Sequence, residues 1–61
     1  MPVSGKELIR ELRKAGYEVK RITGSHYVMD NGKITVVVPN HSSDLPKGTE
    51  MAIRKRTGVY R

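Results

Sequence analysis

The dipeptide Asn31-Gly32 stands between two β-prone runs, Tyr27-Val28-Met29 and Ile34-Thr35-Val36-Val37-Val38. Asn-Gly accepts the positive φ angles of a type I′ turn, whose twist matches that of antiparallel strands. It therefore predicts a hairpin with strands over 26–30 and 33–38. A two-residue turn pairs Asp30 with Lys33, Met29 with Ile34 and His26 with Val37. Tyr27 and Met29 then share a face with Ile34, Val36 and Val38, while His26 projects from the other face near Val28 and Thr35.

The flanking segments supply the rest of a small fold. Ser4 and Glu7 have capping-box spacing, with Val3 and Leu8 placed as a hydrophobic staple. Leu8, Ile9, Leu12 and Ala15 form a helical stripe, and Lys6, Arg10, Glu11, Arg13 and Lys14 take the opposite side. Gly16 is suited to end the helix and Tyr17 to fold back on Leu12, so a helix is predicted over 4–15. A strand over 17–22 follows. A two-residue loop at Thr23-Gly24 would turn Lys20 toward the core. A three-residue loop, Thr23-Gly24-Ser25, aligns Tyr17 and Val19 with Tyr27 and Met29, and the hydrophobic pattern favours it, with Gly24 supplying a positive φ. Pro39 ends the third strand because it cannot donate to the ladder. After a polar connection, a second helix begins near Lys47-Gly48-Thr49 and ends at Gly58. Its stripe is narrow (Thr49, Ala52 and Ile53, with Met51 to one side), and Arg54, Lys55 and Arg56 make its last turn basic. The order α-β-β-β-α predicts one α+β domain over 1–61: a two-layer sandwich with two helices on one face of a three-stranded antiparallel sheet.

Charge narrows the function. Twelve Lys and Arg against six Asp and Glu give a net charge of +6 on 61 residues. That field attracts polyanions. Its spread over every segment favours nucleic acid over the competing reading, an acidic protein partner. There is no cysteine, hence neither a disulfide nor a thiolate site, which fits a reducing cytoplasm. No apolar run approaches the roughly 20 residues that span a bilayer, and the N-terminus lacks the pattern of a signal peptide. A soluble cytoplasmic domain without membrane attachment is expected.

Within this basic chain, Gly24-Ser25-His26 presents an imidazole just behind a flexible turn. Imidazole is the side chain whose ordinary pKa lets it both take and give a proton near neutrality. The plain alternative is a surface or packing histidine. The two histidines are fifteen residues apart and no carboxylate pair has ligand spacing, so neither a metal nor another cofactor is expected.

These marks, taken together, carry a resemblance. Gly5-Lys6-Glu7-Leu8, Gly16-Tyr17, Gly24-Ser25-His26, Val38-Pro39-Asn40-His41, Leu45-Pro46-Lys47-Gly48-Thr49 and Thr57-Gly58-Val59 occur in an order and at spacings that resemble the HicA toxins of toxin–antitoxin systems. The resemblance implies a double-stranded-RNA-binding-domain-like fold, an mRNA-cleaving ribonuclease that stops translation, and a HicB-like antitoxin partner that blocks it. His26 falls on the family's catalytic histidine and His41 on a second histidine that many members carry. Glu50 and Arg54 depart from the pattern, since apolar residues are commoner there.

RNA carries its own nucleophile, the 2′-OH, so cleavage needs proton transfer and charge stabilisation rather than a metal. His26 can serve as base or acid. Lys20, Arg21, Lys33 and Lys47 are available to hold phosphate, as are the N–H groups around Gly24 and Ser25. Gly48 and Thr49 are either an ordinary helix entry or a phosphate seat helped by Lys47. With Val37 opposite His26, a straight strand would put His41 roughly 13 Å away at about 3.3 Å per residue. His41 is then either a second proton-transfer group, if the loop turns back, or a residue that positions the loop or contacts RNA. The rival from another class is a non-catalytic RNA-binding module of the same fold, in which His26 has no task.

Overall fold

The computed structural model describes residues 3–40 and 44–60. Its elements are α1 (Gly5–Lys14), β1 (Glu18–Thr23), β2 (His26–Asp30), β3 (Thr35–Pro39) and α2 (Lys47–Thr57). The strands form one antiparallel sheet in the order β1-β2-β3. This is an α+β fold of the double-stranded-RNA-binding-domain type, with a core built between the helices and one sheet face. Val3, Leu8, Leu12, Met29 and Val38 are its fully buried side chains.

Local chemistry sets α1. The Ser4 hydroxyl oxygen accepts the Glu7 N–H at 3.2 Å, satisfying one of the donors that a helix start leaves free. At the other end Gly16 has φ +100. The Tyr17 N–H reaches the Leu12 carbonyl at 3.0 Å and the Gly16 N–H that of Arg13 at 3.1 Å, the two bonds of a Schellman motif. Tyr17 is thereby buried as the closing contact and lies before β1. Ala15, at the cap, is exposed.

Both hairpins differ in detail from the sequence expectation. The β2–β3 register is displaced by two residues: His26 pairs with Pro39, Tyr27 with Val38, Val28 with Val37 and Asp30 with Thr35. Asn31 does not adopt the positive φ of a type I′ turn; only Gly32 does, at +94. Instead the Asn31 side chain accepts the N–H groups of Lys33 at 2.9 Å and Ile34 at 2.8 Å. Asp30 accepts the Gly32 N–H at 2.5 Å and the Thr35 hydroxyl. These Asx-type bonds favour a four-residue loop over a two-residue turn. A shift of two preserves facing, so Tyr27, Met29, Val36 and Val38 still line the core.

The first hairpin closes with two residues, Gly24-Ser25, rather than three, because Thr23 pairs with His26. Gly24, at φ +58, is the first central residue, as a type II′ turn requires. The register then slips between Val19 and Arg21, leaving Lys20 as a bulge. The bulge returns Val19 to Met29 and the core face.

The Asp30 hydrogen bonds make stability pH-dependent. The Thr35 hydroxyl, then the Gly32 N–H, hold its carboxyl below the usual 3.8. A depressed folded-state pKa contributes stability above the unfolded value, and that contribution is lost as pH falls through the folded value. The urea midpoint of the parent is therefore expected to fall more steeply below about pH 4 than that of Asp30→Asn. Parallel curves would contradict this.

Packing at one pole of the sheet depends on a glycine. Gly5 is buried, and a Cβ built on it would lie 1.8 Å from the Pro39 carbonyl oxygen. Among the described residues, none has an atom within 4 Å of a Cβ built on Gly48. Gly5→Ala is expected to lower stability by about 1–3 kcal/mol, since backbone rather than a flexible side chain must move. Gly48→Ala should be neutral or stabilising. Helix propensity alone gives Gly5→Ala the opposite sign, a gain of up to about 1 kcal/mol, so the direction of the melting shift decides.

The narrow apolar stripe read for α2 is also corrected. Ile53 is buried and Thr49 half-buried as expected, but Ala52 is exposed with Met51, and Glu50, Arg54 and Thr57 complete the inward face. Arg54 is 3 % exposed. Its guanidinium donates to Glu50 at 2.7 Å, to Glu11 of α1 at 3.0 Å and to the Val59 carbonyl at 3.0 Å. The hydrogen bond to Glu11 raises its pKa further, against the desolvation that burial imposes. One arginine thus joins both helices and the residue that follows the Gly58 cap.

Candidate active site

His26 opens β2, and its side chain is exposed. Residues directly opposite in a sheet share a face, so Thr23, Pro39 and His26 project together. This is the face away from the Met29, Val36 and Val38 core, and neither helix covers it. Arg21 pairs with Val28, which sets it diagonally from His26 on that same face. The Gly24-Ser25 turn adjoins His26 directly. It is pinned to the end of β3, because the Asn40 N–H donates to the Ser25 carbonyl at 2.6 Å.

The same pole gathers both helix N-termini. Gly5 begins α1 against Pro39, the partner of His26. The Leu45 N–H donates to the Val3 carbonyl at 2.8 Å, and Ser4 bridges to Asp44. Lys47 follows two residues after Leu45. The N-cap of α2 is Pro46, which makes no side-chain cap bond, so the first-turn N–H groups near Lys47, Gly48 and Thr49 face this end without one. Lys47 and Gly48 are exposed and Thr49 is half-buried.

Other candidate residues are separated from this pole. Lys33 lies in the loop beyond Asp30, past the full length of β2 from His26, which is roughly 13 Å at about 3.3 Å per residue. Lys20, in the bulge of edge strand β1, meets Glu18 at 3.6 Å. Both side chains are exposed, so the pair contributes little. His41 lies outside the described residues.

A second feature lies on the helix side of the same pole. Lys6, Ile9, Arg10, Arg13 and Lys14 of α1, with Tyr27 and Asn40, line an open groove of about 530 Å³. The four cations are exposed, and no ion pair joins any of them among the described residues. Their place in the sequence puts them on the outward side of the helix but defines no site. Their i, i+4, i+7, i+8 spacing was the available signal; the opposing Tyr27 and Asn40 required the fold.

The fold and the pole define a small cationic α+β domain of the double-stranded-RNA-binding-domain type, with a histidine on its open sheet face. Over residues 5–59 the chain matches the HicA toxin family of bacterial toxin–antitoxin systems. It belongs to that family, and its role is that of the toxin. No curated protein matches the chain. Among the described residues no helix is long and apolar enough to cross a membrane.

Proposed function

We propose that this toxin is an mRNA endoribonuclease that acts in the cytoplasm without a metal and uses His26 as general acid/base. The observation that carries the reading is the position of His26. It is exposed on an uncovered sheet face, beside a Gly-Ser turn and diagonal to Arg21. In the reaction the 2′-oxygen of a ribose loses its proton and attacks the adjacent phosphorus. The P–O5′ bond breaks, and the departing oxygen receives a proton. The imidazole would serve one of those transfers. Arg21, the Gly24-Ser25 N–H groups and the Lys47-Gly48-Thr49 helix start supply donors for phosphate oxygens. A HicB-like antitoxin would inhibit by covering the open face and neutralising its cations.

The non-catalytic RNA-binding module accounts for the cations but gives the exposed imidazole no work. An RNA oligomer and its all-2′-deoxy counterpart separate the two readings. The RNA is expected to be cut and the deoxy strand to remain intact. RNA that is retarded but uncut, or DNA that is cut, would contradict the mechanism.

A further inference from the structure

We propose that the α1 groove holds single-stranded RNA on one side of the scissile phosphate, with Tyr27 as a base-stacking platform. The inference rests on the ribonuclease reading above and extends it to residues outside the His26 pole.

The lining has the composition such a strand needs. Lys6, Arg10, Arg13 and Lys14 project along one side of α1 over about 12 Å, at 1.5 Å per residue. That length spans a few successive phosphates of a single strand. None of the four cations is engaged by a carboxylate among the described residues, so phosphates would be the first anions to neutralise them. The opposite wall is different in kind: Tyr27 is a half-buried aromatic, and Asn40 offers an amide donor and acceptor. Cations along one wall and an aromatic on the other form the usual arrangement for single strands, in which the backbone is tracked and a base is stacked.

Continuity with the reacting end comes from the backbone. Tyr27 follows His26 directly, on the other face of β2. Asn40 is tied to Ser25, so the groove ends at the sheet pole where His26 stands. A strand leaving the groove past Asn40 reaches His26 by crossing the Gly24-Ser25 turn. The aromatic wall at Tyr27 and this continuity favour RNA over an acidic segment of the antitoxin as the occupant.

The test uses the full chain carrying His26→Ala, so that RNA stays intact, and an eight-nucleotide labelled RNA followed by anisotropy. Adding Arg10→Ala, Arg13→Ala and Lys14→Ala is expected to weaken binding at least tenfold. It should also flatten the plot of log affinity against log salt by about 2, at about 0.7 per lost phosphate contact. Tyr27→Leu should weaken binding by about tenfold with the salt slope unchanged, and Tyr27→Phe should restore it. Melting temperatures confirm that each protein is folded. Unchanged RNA affinity in the triple variant overturns the proposal, and so does a loss confined to antitoxin binding. On the His26-intact background, cleavage with an unchanged KM in the triple variant overturns the groove and leaves the His26 mechanism standing. RNA bound through the groove but never cut by the parent does the reverse.

Discussion

Cells expressing the His26→Ala protein are expected to grow, whereas cells expressing the parent arrest. General acid–base transfer by one positioned side chain is worth about 10²–10⁴ in rate, so its loss should remove nearly all of the cleavage that stops growth. The position of the residue argues against loss of fold as the cause. His26 is exposed, begins its strand, and contributes nothing to the buried cluster of Val3, Leu8, Leu12, Met29 and Val38. The variant should therefore melt with the parent and bind the antitoxin. Growth arrest by a correctly folded His26→Ala protein would remove the imidazole from the mechanism. A variant that fails to fold would show that His26 has a structural role that its exposure does not suggest.

Arg54→Ala is expected to be the most destabilising single change to a charged residue in the molecule. Removing one member of a buried ion cluster costs about 3–5 kcal/mol, because the remaining charges are left desolvated and facing each other. Here those charges are Glu11, whose side chain is 23 % exposed, and Glu50, at 14 %. A domain of this length has a total stability of only roughly 3–9 kcal/mol, at 0.05–0.15 kcal/mol per residue, so the change removes a third or more of it and should lower the urea midpoint sharply. Replacing the whole cluster is a different experiment. Arg54→Met combined with Glu11→Gln and Glu50→Gln removes the three charges together and should recover much of the loss. Urea melts of the three proteins decide the matter. An Arg54→Ala midpoint close to that of the parent would mean that the ion cluster does not hold the helices together.

Legibility in the sequence follows the range of the interactions. The Ser4–Glu7 cap and the Gly16 terminus were readable because every partner lies within five residues. Facing along β2 and β3 was readable because it depends on parity, which the two-residue slip left intact. The register itself was not: Asn-Gly specifies a turn, but the side chains of Asp30 and Asn31 decide how many residues enter it. Arg54 looked like part of a basic last turn because its acidic partner on α1 is 43 positions away. Nothing local marks the tight site at Gly5 either, since the oxygen that excludes a side chain belongs to Pro39.

The candidate site divides along the same line. His26, Arg21 and the Gly24-Ser25 turn are neighbours along two strands, and hairpin pairing brings them together. Lys33 was grouped with them by charge alone, and the length of β2 separates it. The groove residues on α1 were visible as cations but without a purpose until Tyr27 and Asn40 were seen across from them.

The central claim is that the His26 imidazole takes part in cutting RNA, and one assay addresses it directly. Purified protein and its His26→Ala variant are each incubated with a labelled mRNA in EDTA, with contaminating nucleases excluded. The expected result is discrete fragments from the parent and intact RNA from the variant. Fragments from both proteins, or retarded and uncut RNA from both, would contradict the account.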